Sequence, residues 1–289
     1  MKYVLQFGIV SVVVAFILSG GCNPAEKGEA KSSPAPVSLA SASLDASRGS
    51  RRQEDAGVAA KEAAVKKVLI VTGADHPAHN WRQTAPALAE VLRRDRRMAV
   101  DVVEDPNFLA SPKLNDYDVA VLHFMKWEQP TPGQDARQNL RKFVRDGKGL
   151  FILHFGCGAF YDWPEFRNLA GRVWDPNLPA HDPKGVFHVN ITDANHPVTK
   201  GLKSFDTDDE LYTCLAGERP VRILATARSK VDGKEHPMAF VFRYGRGRVF
   251  HIALGHDAAS IHNPGVAELF RRGCAWTAGL APTKTSVGF

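Results

Sequence analysis

Short apolar runs separated by helix-like stretches restrict this chain more than any other feature. Lys67–Thr72 (KVLIVT) ends at Gly73, Asp118–Phe124 (DVAVLHF) forms a second run and Gly149–His154 (GLFILH) a third. Runs of this length without polar alternation fit strands buried on both faces, as in a parallel sheet covered by helices. The intervening segments carry the complementary pattern. Thr84 is placed to cap a helix with Pro86 in its first turn, and Leu88, Val91 and Leu92 give that helix one apolar face. Ala99–Val103 reads as another strand, and Gln134–Asp146 as a helix with Leu140, Phe143 and Val144 inward. Strands alternating with helices over short connections predict a parallel α/β sheet. Past residue 185 the pattern changes: Val186–Ile191, Val221–Ala227, Met238–Phe242 and Arg248–Ala253 are closely spaced strand-like runs. Tyr244-Gly245-Arg246-Gly247 is a hairpin turn, and Pro264–Ala278 a closing helix. The expectation is one α/β domain over residues 66–280, with a mostly parallel sheet flanked by helices, an antiparallel extension and a tail at 281–289.

The first 65 residues do not fit that domain. Met1-Lys2 is followed by the nearly apolar stretch Val4–Leu18, then by Ser19-Gly20-Gly21 and Cys22. This order is that of an export signal, assigned to residues 1–21. Small residues directly before a cysteine resemble the lipobox of bacterial lipoproteins, which implies lipidation at Cys22. Leu18 stands four residues before the cysteine rather than the usual three, so a plainly cleaved signal or an uncleaved anchor stays open. Residues 23–64 contain no Phe, Trp, Tyr, Ile or Met, and too little apolar surface to fold, so 22–65 reads as a disordered tether. The expected location is exported, periplasmic or cell-surface, with the membrane as a partner through the lipid.

The chain has 289 residues and a formal charge of +6, which raises the question of nucleic acid. Its densest basic run, Arg93-Arg94-Asp95-Arg96-Arg97, falls at an expected helix end, where cations suit the dipole. No helix-turn-helix, zinc finger or aromatic-basic platform accompanies it, and nucleic acid is not an expected partner.

In open α/β sheets the ligand crevice lies beyond the carboxyl ends of the strands. The first strand runs into Asp75-His76-Pro77-Ala78-His79-Asn80-Trp81 and the third into His123 and then Lys126-Trp127-Glu128. The fourth runs into His154-Phe155-Gly156-Cys157-Gly158, and the last into Gly255-His256-Asp257. Four strand ends thus deliver histidines, acids and a cysteine toward one crevice.

Several longer motifs occur in order: DHPAHNW at 75–81, GLFILH at 149–154, DWPEFRNLAG at 162–171, HDPKG at 181–185, NHPVTKGL at 195–202, DDELY at 208–212, YGRGRVFHIALGHD at 244–257 and RRGCAWTAG at 271–279. Together they resemble the trehalose-utilisation (ThuA-like) family. The resemblance implies a flavodoxin-like, class I glutamine-amidotransferase-like fold and a link to the metabolism of disaccharides or keto-sugars.

Three chemistries fit the crevice. In the first, His154, Glu210, Tyr212 and His256 are catalytic in acid–base chemistry on a sugar or sugar-derived ketone, as an isomerase, lyase or hydrolase. The roles of Glu210 and Tyr212 rest mainly on the resemblance. His79, Trp81, Trp127, Asp209 and Asp257 would then bind substrate, aromatic faces taking the sugar ring and polar groups its hydroxyls. A non-catalytic sugar-binding or accessory lipoprotein would use the same crevice. In the second, His76 and His79, with His154 or His256 and an oxygen from Glu210 or Asp257, hold a divalent metal such as zinc. In the third, Cys157 and His256 form a thiol amidohydrolase, although the glycines flanking Cys157 are adjacent to it rather than two residues away and no x-Glu follows His256. With Cys22 lipidated, Cys157, Cys214 and Cys274 remain, and no essential disulfide is expected. His181-Asp182-Pro183 is placed to fold over the crevice as a lid.

Overall fold

The structure, a computed structural model, describes residues 64–126 and 130–283. The expected export signal, Cys22, all but the end of the tether, Trp127 and the end of the tail lie outside the described residues. In chain order, β1 (Lys66–Val71), α1 (Trp81–Arg93), β2 (Met98–Val103), β3 (Val119–Leu122), α2 (Gln134–Arg145) and β4 (Gly149–Leu153) come first. There follow α3 (Phe166–Ala170), β5 (Val173–Trp174), β6 (Gly185–Ile191), β7 (Phe205–Asp209), β8 (Leu215–Ala216) and β9 (Arg222–Arg228). The chain closes with β10 (Glu235–Tyr244), β11 (Gly247–Ile252), α4 (Ala258–His262) and α5 (Pro264–Thr277).

Nine strands form one sheet in the order β2-β1-β3-β4-β11-β10-β9-β6-β7. The strands from β2 to β11 are mutually parallel, and β10, β9, β6 and β7 extend the sheet antiparallel. All of β3 and β4 is buried, as their unbroken apolar runs require. α1 and α5 pack against each other and α5 lies on β4 and β11. Gly273 permits that approach, because a Cβ there would stand 2.2 Å from the Phe250 ring.

One local reading changes. α1 begins at Trp81 rather than at Thr84, whose hydroxyl donates to the Asn80 carbonyl inside the first turn. The acidic segment 206–209 forms most of β7. Asp206 and Asp208 face outward while Thr207 and Asp209 are buried, the period of two that an edge strand shows. Acids on the outer face of an edge strand also discourage pairing with other chains.

Three histidines buried away from the crevice centre set an acid limit on stability. Burial pushes His251 and His196 down to about 4 and His123 down to about 3, from 6.5. Below pH 6.5 the unfolded chain takes up these protons while the native chain refuses them. The sign of the linkage is therefore loss of stability as pH falls from 6.5 toward 4, by up to about 1.4 kcal/mol per pH unit for each imidazole. Denaturant unfolding at pH 7.5, 6.0 and 5.0 is expected to show this steady decline; a flat profile would remove these histidines as its cause.

Candidate active and metal site

The carboxyl ends of three parallel strands and the end of β7 bring four side chains together. His79 comes from the loop after β1, His154 directly follows β4, Glu210 directly follows β7, and His256 lies in the loop after β11. Each offers one donor atom within 4.8 Å of all the others. The His79 ring centroid lies 5.0 Å from that of His154 and 5.1 Å from that of His256.

His154 has φ +45°, and among the described residues it is the one non-glycine with positive φ. That conformation is costly for a side chain and is held only where the surroundings impose it. Here a tight 3-10 turn, His154–Gly158, leaves the strand, and at Gly156 a Cβ would fall 2.3 Å from the Leu122 carbonyl oxygen. His154 Nδ1 lies 2.7 Å from the Ala253 carbonyl oxygen; because a carbonyl only accepts, Nδ1 carries the proton. In the neutral ring Nε2 then has a bare lone pair. It accepts from the Tyr212 hydroxyl at 2.9 Å and faces Glu210 Oε2 at 3.4 Å.

The carboxylate of Glu210 organises the rest. Burial alone would raise its pKa, but the contacts with His154 and His256 prevail and hold it well below the usual range. His256 Nδ1 approaches Glu210 Oε2 to 3.1 Å, off the line of a hydrogen bond, and the carboxylate draws the imidazole pKa up. Burial, and then the neighbouring imidazoles, drive His79 far down, so it stays neutral. The buried Nδ1 atoms of both His79 and His256 have no hydrogen-bond partner. Bare imidazole nitrogens around an ionised carboxylate are the donor set of a divalent cation of the zinc class. The bond from His154 Nδ1–H to a backbone carbonyl is the outer support such a ligand requires.

Asp209 was expected to contact substrate. It is instead fully buried, and its oxygens accept from the backbone N–H groups of Glu210, Gly255 and His256 at 2.8, 2.8 and 3.1 Å. Asp209 therefore clamps the two loops that carry Glu210 and His256. Asp257 caps α4, its side chain accepting from Ser260 N–H, and pairs with Lys184 at 3.3 Å. Trp81 is buried at the start of α1 and donates from Nε1 to Asp75 at 2.8 Å; it faces an outer recess rather than the central cavity. His76 lies outside the four-donor group and packs its ring 4.7 Å from His79. Of the ligands considered from sequence, His79, His154, His256 and Glu210 meet, while His76 and Asp257 stand outside the group.

A cavity of about 300 Å³ opens onto the centre, lined by His76, His79, Met125, Trp174, His181, Glu210 and Tyr212. His181 has a larger place than a lid residue. Its segment pairs with Tyr212, Asp182 N–H bonding to the Leu211 carbonyl at 2.9 Å and Thr213 N–H to the Ala180 carbonyl at 3.2 Å. Its Nε2 stands 3.7 Å from Glu210 Oε1 on the half-exposed side. Lys184 ties the same segment to Asp208 at 3.1 Å. His123 does not join the group; its Nδ1 pairs with the Thr72 hydroxyl at 3.0 Å behind Phe155.

Cys157 does not serve as a nucleophile in this geometry. It is buried, and burial pushes its thiol pKa strongly up. At the strand-to-turn elbow the strained, presented residue is His154. Iodoacetamide at pH 7 is expected to leave Cys157 unmodified in the native protein, read by peptide mass spectrometry; rapid selective labelling would reinstate the thiol.

Comparison with known proteins places the chain in a family. The model of the ThuA family, trehalose utilisation, matches residues 67–277. The chain belongs to the ThuA family. The fold is similar to that of a ThuA-like protein from Parabacteroides merdae, 27% identical, with TM-score 0.67 over 76% of this chain and 92% of that one. It is also similar to a ThuA-like protein from Bacteroides uniformis, 20% identical, with TM-score 0.61 over 75% of this chain and 92% of that one. A β-galactosidase from Rahnella sp. R3, 18% identical, shares the fold over 74% of this chain and 31% of its own length, with TM-score 0.52. No curated protein matches the chain.

Proposed function

We propose that this ThuA-family protein is a metal-dependent enzyme of sugar metabolism, acting by proton transfer on a sugar or sugar-derived ketone. The observation that supports it most is the meeting of His79, His154, Glu210 and His256 with two ring nitrogens unpartnered. A zinc-class cation held there would polarise a carbonyl or hydroxyl oxygen of the substrate. The chain's own groups do the rest. Asp209 and the Ala253 carbonyl fix the orientation of the donors. Burial keeps the Tyr212 phenol protonated, so it is a hydrogen-bond donor beside the centre. His181, half exposed and next to Glu210, is the group positioned to carry a proton between the cavity and solvent. The family's link to trehalose utilisation supports a sugar. The export signal and tether read from residues 1–65 would hold this domain outside the cytoplasm on a lipid anchor.

Thermal shift tests the reading. Zinc is expected to raise the melting temperature of EDTA-treated protein, and disaccharides or oxidised sugars to raise it further only when zinc is present. A panel in which no sugar shifts the loaded protein would contradict the sugar assignment. A shift without turnover would make the protein a binder rather than an enzyme.

A further inference from the structure

A second cavity of about 450 Å³ adjoins the first, and Trp174 lines both. Its walls are Phe160, Tyr161, Trp163 and Trp174, with Arg167, Asp175 and Asn177 among the polar groups. Trp174 is fixed between them: β5 pairs with β8, and its ring meets Tyr212 edge to face at 5.4 Å. Tyr212 in turn reaches His154. Trp163 is packed from behind by Phe160 and Phe166 at 5.4 and 6.3 Å. Arg167 makes no ion pair within 4 Å among the described residues, although its charge helps lower the Asp175 pKa, after the hydrogen bonds from Asn177. Asp175 Oδ1 is occupied by Asn177 N–H and side-chain amide, both at 2.9 Å.

We propose that this cavity is a subsite for the second ring of a two-ring sugar whose reacting ring sits at the four-donor centre; the proposal rests on the sugar reading above. The central cavity alone is at the small end of ligand pockets, about 300–1,000 Å³, and suits one ring. Rigid aromatic walls pack on the C–H face of a pyranose, while a free guanidinium donates to its hydroxyl oxygens and a neighbouring carboxylate accepts from its hydroxyl groups. Because Trp174 forms the wall between the cavities, a glycosidic link crossing its edge would place one ring in each. The subsite would therefore set chain length and not chemistry.

Calorimetry on the zinc-loaded protein tests this with methyl α-glucoside as the one-ring probe and trehalose and maltose as two-ring probes. The two-ring probes are expected to bind about tenfold more tightly. The double variant Tyr161→Ala/Arg167→Ala changes two exposed residues, so the fold and the metal content should stand. It is expected to bring two-ring affinity down to the one-ring level and leave the one-ring probe unchanged. Equal affinity for one and two rings in the native protein would overturn the subsite alone, as would a variant that weakens both probes alike. Binding of none of the three would sink the sugar reading, and the subsite with it.

Discussion

Glu210→Ala is expected to lower the affinity for zinc by more than about 100-fold while leaving the EDTA-treated protein folded. The magnitude follows because altering even an outer partner of a ligand typically costs about 10–100-fold in metal affinity, and here an anionic ligand itself is lost. The separation from folding follows from the surroundings. Glu210 is held by imidazoles and not by backbone groups, with His154 Nε2 at 3.4 Å and His256 Nδ1 at 3.1 Å. Removing it strands no buried N–H donor. His79 remains neutral through burial, so the variant does not gather positive charge in the cavity at neutral pH. Competition titration against a chromophoric chelator measures the affinity, and circular dichroism in EDTA measures the fold. Unchanged zinc affinity would exclude Glu210 as a ligand.

Asp209→Ala is expected to do the opposite, weakening the fold first and the metal through it. The carboxylate accepts three backbone N–H groups, and alanine would leave them buried without partners. An unsatisfied buried donor costs roughly 1–3 kcal/mol, so a loss of about 3–5 kcal/mol is expected. For a domain of this size that lowers the melting temperature by roughly 10 °C. The loops bearing Glu210 and His256 lose their common anchor, so zinc binding should fall as well. Differential scanning calorimetry of the EDTA-treated variant separates the cases. A melting temperature within a degree of the native value would show that the clamp carries no stability.

The centre of the parallel sheet was legible because β3 and β4 are buried on both faces, and burial on both faces writes itself as unbroken apolar runs such as GLFIL. The crevice was legible from topology: His79, His154 and His256 all follow parallel strands, and strand carboxyl ends point one way in a parallel sheet. β7 was not legible from pattern. As an edge strand it alternates acid and buried residue, and DTDD carries little β-propensity. Its neighbour Glu210 was reached through resemblance to the ThuA-like motif DDELY rather than through residue spacing. Asp209 was misread because two adjacent acids look alike in sequence, whereas a period of two sends one inward to the backbone and leaves the other outside. His181 joins the centre across a long loop and pairs there with Tyr212, a contact that no local periodicity encodes. The left-handed backbone of His154 is likewise tertiary in origin, imposed by the packing of Gly156 on Leu122.

A cation, and not merely a proton, reconciles the unpartnered Nδ1 atoms of His79 and His256 with the carboxylate of Glu210 beside them. Elemental analysis of the protein purified without a histidine tag and without added metal tests this most directly. About one equivalent of a zinc-class metal per chain is expected, lost on prolonged chelation and absent from Glu210→Ala. Metal at background level in well-folded native protein, with no uptake from stoichiometric zinc, would contradict it.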